Sequence, residues 1–135
     1  MALKPSIDPA TFIADAAKVT SVYGAWPTFH DAELMELELK RDGCLLLVRL
    51  WTFQVDRQQV DAHGYFKKID QCVITFRFAN IENLSIEGFN HQNVLADIVF
   101  EPVEDGIRVN MEGTFGANIA FQCSIVTVEG VVRCD

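Results

Sequence analysis

The sequence predicts an α+β domain that is mainly antiparallel β, with an N-terminal helix packed on a curved sheet or partly open barrel of about seven strands. Three observations predict it. Helical spacing of apolar residues is confined to the N-terminal end of the chain. Two Asp-Gly pairs, Asp42-Gly43 and Asp105-Gly106, sit between alternating apolar runs, and the remaining apolar runs are of strand length. A two-sheet sandwich is the alternative arrangement of the same elements. The 135 residues suit one domain, 1–135, and half of them are hydrophobic, so an ordinary packed core is expected.

Asp8 is suited to cap the helix with Pro9 at its first position, where a missing N–H does no harm. Phe12, Ala16, Val19 and Tyr23 then share one face to about Val22, and Gly24 follows as the terminating residue. Asp42-Gly43 suits a type I′ hairpin turn. That turn sets Leu39 against Leu46, Leu37 against Val48 and Met35 against Leu50, with Glu36–Arg49 and Leu34–Trp51 on the other face. The strand from Cys44 to Phe53 is nearly continuous in apolar residues, which suggests burial on both faces.

The second hairpin, centred on Asp105-Gly106, places Phe100 opposite Met111 and Ala96 opposite Phe115, with Glu101–Asn110 and Val103–Arg108 on the reverse. Pro102 lacks a donor, so its strand belongs at an edge or carries a bulge. Cys72–Phe78 and Leu84–Glu87 read as strands, and a last strand runs from Ile119 to about Val128, extending toward Val132. The segment from Gln54 to Gln71 has no sustained period and reads as a long loop, which at this length is functional, mobile or partly structured.

Composition narrows the function classes. With 19 acids against 11 bases the formal charge is −8, which argues against a nucleic-acid backbone as partner and suits a basic protein. Met1–Pro5 lacks an apolar leader core, and Arg49 interrupts the longest apolar run, so a cytoplasmic chain without a membrane span is expected. Cys44, Cys72, Cys123 and Cys134 form no CxxC or Cys/His pair and read as reduced thiols; the first three sit in apolar runs, as small hydrophobes.

The most unusual stretch runs from Tyr23 to Glu33, mixing three aromatics, a histidine and two acids. Extending the first hairpin's parity backwards turns Asp31 and Glu33 inward, beside Trp26, Phe29 and His30. Besides a recognition surface, two readings follow. One is an acid/base or metal site built from His30, Asp31 and Glu33, to which His91 could contribute. The other is a structural polar knot, with Trp26, Phe29 and His30 buried and Asp31 bonded to backbone N–H groups. Adjacent His and Asp point to opposite faces of a strand, which favours the knot. Gly88-Phe89-Asn90-His91-Gln92-Asn93 is a second polar knot, whose Asn90, Gln92 and Asn93 side chains can bridge backbone groups in a turn. His63 has no motif around it, Ser85 and Ser124 have no partner in sequence, and no Gly-rich phosphate loop, nucleophile elbow or HExxH element is present. No catalytic residue, metal or cofactor is assigned.

Trp26-Pro27-Thr28-Phe29-His30-Asp31-Ala32-Glu33, followed later by Gly88-Phe89-Asn90-His91-Gln92-Asn93-Val94, resembles the bacterial immunity protein 50 family, over nearly the whole chain. The resemblance implies a cytosolic protein that neutralises a cognate toxin domain, and it implies no particular binding surface. The expected interface is the 54–71 segment with the exposed acids: Asp56, Asp61, Asp70, Glu82, Glu87, Glu104 and Asp105. The alternative is an enzyme or small-ligand binder using His30, Asp31, Glu33 and His91. A homodimer through the Phe-rich strands is the third reading.

Overall fold

Helix formation at the N-terminus is interrupted by a single β-bridge. In the computed structural model, which describes residues 7–134, Asp8 does cap a turn: its Oδ1 accepts the Ala10 N–H at 3.0 Å, with Pro9 next in the chain. Met1–Pro5, read above for a leader, lies outside the described residues. The turn is a short 3-10 segment, Pro9–Thr11. The chain then leaves it to make a parallel bridge between Ala14 and Thr127, with Ala14 N–H on the Val126 carbonyl and Val128 N–H on the Ala14 carbonyl, both at 2.9 Å. Helix α1 starts only afterwards, Ala17–Tyr23, and stops at Gly24 with φ +80°. The single expected helix is therefore two pieces, because tertiary pairing overrides a propensity worth only tenths of a kcal/mol per residue.

The strands are β1 Glu33–Lys40, β2 Leu45–Val60, β3 Phe66–Ala79, β4 Glu82–Glu87, β5 Leu95–Val103, β6 Gly106–Gly113, β7 Asn118–Cys123 and β8 Ile125–Arg133. All ladders between them are antiparallel, in two four-stranded sheets ordered β1-β2-β3-β8 and β4-β7-β6-β5. The mainly antiparallel α+β class holds, and the sheets are not closed into a barrel. The expected last strand is divided at Ser124, whose N–H donates to the Ala79 carbonyl at 3.0 Å while its hydroxyl accepts from Asn80 at 2.7 Å. That pin switches the side-chain parity: Ile119, Phe121 and Cys123 are buried before it, Val126 and Val128 after it. One apolar run thus serves both sheets.

The first hairpin keeps its expected register from the turn as far as Glu36–Arg49, which forms an ion pair at 3.0 Å. Of the two turn residues only Gly43 has positive φ, so the turn is not type I′; Cys44 follows at φ +48° and is exposed, its thiol on the Ile81 carbonyl at 3.2 Å. A bulge then skips Met35, leaving Leu34 opposite Leu50 and Glu33 opposite Trp51. Met35 is 58% exposed, and Leu34, expected on the other face with Trp51, takes the inward place expected of Met35. The bulge reverses every parity upstream of it.

The second hairpin turns on Glu104-Asp105, two register positions from expectation, pairing Phe100 with Val109 and Glu101 with Arg108. A shift of two preserves faces, so Phe100 and Met111 are still buried. Gly106 belongs to the strand, paired with Val103, and no side chain fits there: at φ +148° an added Cβ would lie 2.3 Å from the Cys123 carbonyl oxygen. Pro102 sits on β5, an edge strand, as expected.

The expected 54–71 loop is instead a hairpin arm, in which β2 and β3 extend beyond the sheet with Gln54 against Ile69, Val55 against Lys68 and Asp56 against Lys67. Both faces of this arm are largely solvated, so its alternation carries no apolar signature. Its reversal is built by Asp61, whose Oδ1 accepts the His63 and Tyr65 N–H groups at 2.8 and 3.0 Å.

One core joins the two sheets and the helical pieces. Phe76 of β3 is its hub, with ring centroids 5.7–6.0 Å from Trp26, Phe29, Phe78 and Phe100, while Phe78 meets Phe121 of β7 at 4.8 Å. Cys72 and Cys123 are buried in it as free thiols. Burial pushes the Cys123 thiol from 9.0 up to about 12, and burial with the neighbouring Cys72 also raises the Tyr23 hydroxyl. A raised folded pKa leaves stability intact below the unfolded value and removes it as pH rises toward the folded one. Urea midpoints are therefore expected to hold below about pH 9 and to fall between there and about pH 12, and Cys123→Ala is expected to flatten part of that fall, leaving the share due to Tyr23.

Candidate functional site

The Trp26–Glu33 segment is a staple between sheets. Phe29 is buried and Trp26 half-buried, their rings edge to face at 5.7 Å, and Trp26 also meets Phe100 of β5 at 5.7 Å. The backbone is laced to the start of β5: Ile98 N–H donates to the Thr28 carbonyl at 3.2 Å, Asp31 N–H to Leu95 at 2.9 Å and Leu95 N–H to Ala32 at 2.7 Å. Leu34 N–H on the Asn93 carbonyl at 3.0 Å continues the lacing, with a bridge between Glu33 and Val94. The two motifs that carry the family resemblance are thus hydrogen-bonded together.

This segment makes an unusual turn. Phe29 and Asp31 both adopt left-handed backbone, at φ +65° and +67°. For a bulky residue such as Phe that conformation is disfavoured, and burial of the ring in the aromatic cluster holds it there. The turn drives Phe29 into the core while sending its two successors outward. His30 is exposed, not buried as expected; its Nδ1 lies 3.0 Å from the Ala96 carbonyl, which fixes that nitrogen as the donor. Its Nε2 is 3.6 Å from Asp31 Oδ1, a contact open to solvent on both sides and weak for that reason.

Asp31 and Glu33 do not face inward. Asp31 is exposed and binds the backbone through its own N–H, while Glu33 falls on the outward side with Trp51 because of the Met35 bulge. The second motif is a self-contained knot: Asn90 N–H donates to Asn93 Oδ1 at 2.8 Å, Asn93 Nδ2 to the Asn90 carbonyl at 2.5 Å and Gln92 N–H to Asn90 Oδ1 at 2.8 Å. Asn93 is buried, whereas His91 and Gln92 are exposed. The approach of this segment to His30 is made by the backbone of Leu95 and Ala96. Among the described residues no group of three or more His, Cys, Asp or Glu is placed to hold a metal ion.

What the first motif does reach is a groove. Asp31 lines one side of a depression of about 590 Å³ whose other walls belong to the arm and the base of β3: Phe53, Val55, Asp61, Tyr65, Phe66, Lys67, Lys68 and Gln71. Lys68 extends its ammonium over Trp51 and Phe53, at 5.1 and 5.0 Å from the ring centroids, a cation–π arrangement.

The acids expected to bind a partner fall in two places. Asp56, Asp61 and Asp70 are on the arm and its base, and each also shapes it. Asp56 accepts the Gln58 N–H and the Gln59 amide, which lower its pKa, Asp61 forms the tip, and Asp70 pairs with Arg133 at 3.0 Å. Glu82 and Glu87 lie on β4, and Glu104 and Asp105 form the β5–β6 turn. The interface expected over 54–71 takes in Val55, Tyr65, Phe66 and Lys68 without singling them out, and what it missed is the hairpin that gathers them; the signal available was Asp61-Ala62-His63-Gly64, a turn-forming string.

No helix among the described residues is long and apolar enough to cross a membrane. No curated protein and no solved structure matches the chain significantly. The sequence model described as "Immunity protein 50" matches residues 15–133, and it takes in both hydrogen-bonded motifs, the groove and the two sheets: the chain belongs to the immunity protein 50 family.

Proposed function

We propose that this protein neutralises a cognate bacterial toxin in the cytoplasm by stable protein–protein contact, not by chemistry on it. The observation that carries the reading is the family match over residues 15–133, since an immunity protein implies a toxin as its partner. The surface supports it. Ladder registers on the second sheet align Glu101, Arg108, Gln122 and Glu82 in one row and Asp97, Glu112, Asn118 and Glu87 in another. Arg108 is the only base in those rows, and Glu101 lies 3.7 Å from it. With a net charge of −8, such a face favours encounter with a basic protein.

Co-purification tests the reading. A tagged copy is expected to retain the product of the adjacent gene through washing at physiological salt, and that product expressed alone is expected to arrest growth. A neighbour that neither binds nor harms the cell would sink the proposal.

A further inference from the structure

The arm offers more than charge. Val55, Val60, Tyr65 and Phe66 are exposed on it, Tyr65 by 71%. Phe53 and Val55 continue the outward parity of Trp51, opposite to buried Leu50 and Thr52, so an apolar strip runs from the first sheet onto the arm. Exposed apolar side chains gathered in one place mark interaction surfaces, and aromatic residues dominate the binding energy of most interfaces.

Two further observations say what would sit there. Among the described residues, no carboxylate comes within ion-pair distance of the Lys68 ammonium, which rests on the two rings at the groove wall beside Lys67. A carboxylate arriving over those rings would gain a charge-assisted contact with this exposed ammonium. The tip is also held in place before any partner arrives. Asp61 fixes Tyr65 through its carboxylate and through its own N–H on the Tyr65 carbonyl at 2.7 Å, which reduces the ordering cost of binding.

We propose that the arm is the toxin-docking element and that its groove takes an apolar toxin side chain flanked by a carboxylate. The side chain packs on Phe53, Tyr65 and Phe66, and the carboxylate meets Lys68. This rests on the toxin-binding reading, narrows the interface expected over 54–71 to the arm's apolar strip and groove, and adds the chemistry of the partner.

Titration calorimetry of the full chain against the purified product of the adjacent gene tests it. Tyr65→Ala with Phe66→Ala is expected to raise Kd by roughly a hundredfold, and Lys68→Glu by roughly tenfold. Phe115→Ala, exposed on a loop after β6, is expected to leave Kd within about twofold and serves as the control. Urea midpoints of all variants are expected to stay near the wild type, because the replaced side chains are exposed. A complex that the arm variants retain at wild-type affinity overturns the arm assignment alone. Absence of any complex with the wild-type chain overturns the toxin reading itself, and the arm assignment with it.

Discussion

Phe76→Ala is expected to be the most damaging single truncation, lowering unfolding free energy by about 3–5 kcal/mol, the usual range for a fully buried Phe. The reason is its position more than its size. Phe76 is wholly buried and touches the rings of Trp26, Phe29, Phe78 and Phe100, which belong to the motif segment and to both sheets. The cavity would open where three parts of the molecule meet, and none can collapse into it without moving the others. Urea denaturation followed by tryptophan fluorescence reads the loss, with Trp26 beside the cavity. A cost below about 1 kcal/mol would mean that the sheets do not share this aromatic hub.

Gly88→Ala is expected to destabilise by roughly 2–5 kcal/mol through a different cause, combining left-handed backbone strain with overpacking. Gly88 has φ +66°, and a Cβ there would lie 2.3 Å from the carbonyl oxygen of Gly116 and 2.7 Å from its carbon. Both contacts are with backbone, so no side chain can move aside. Gly116→Ala supplies the comparison: its φ is +100°, yet nothing lies within 4 Å of an added Cβ, so only the conformational part of the cost applies. Equal midpoints for the two variants would contradict the close approach. The effect is structural, since Gly88 opens the knot whose Asn93 carbonyl is laced to Leu34.

How far the sequence could be read depended on which interactions decide each feature. The Asp42-Gly43 turn was legible because it is local. The bulge beyond it was not, although Leu34 and Met35 side by side break the alternation; the choice of Leu34 for the core is made by packing against Leu50. The Glu104-Asp105 turn was missed by one residue, which shifts the pairing by two and keeps every face, and the contact that excludes a side chain at Gly106 comes from β7. Trp26 and Phe29 were recognisable as core by their chemistry. His30 and Asp31 were not placeable, because consecutive left-handed turns at Phe29 and Asp31 follow no strand parity. The arm escaped for a related reason: with both faces solvated, its pairing is recorded in cross-strand partners such as Asp56 and Lys67 and in no periodicity.

The motif that marks the family therefore has two roles in this fold. Its aromatics staple the sheets together, and the strained turn they impose delivers Asp31 to the wall of the arm groove.

The most direct test of neutralisation by contact is to titrate the activity of the purified toxin with this chain at concentrations well above the dissociation constant. The account predicts a linear fall that reaches zero at equimolar protein and recovers when the chain is removed. Activity that persists at excess chain, or that is abolished irreversibly by a small fraction of an equivalent as an enzyme acting on the toxin would do, would contradict it.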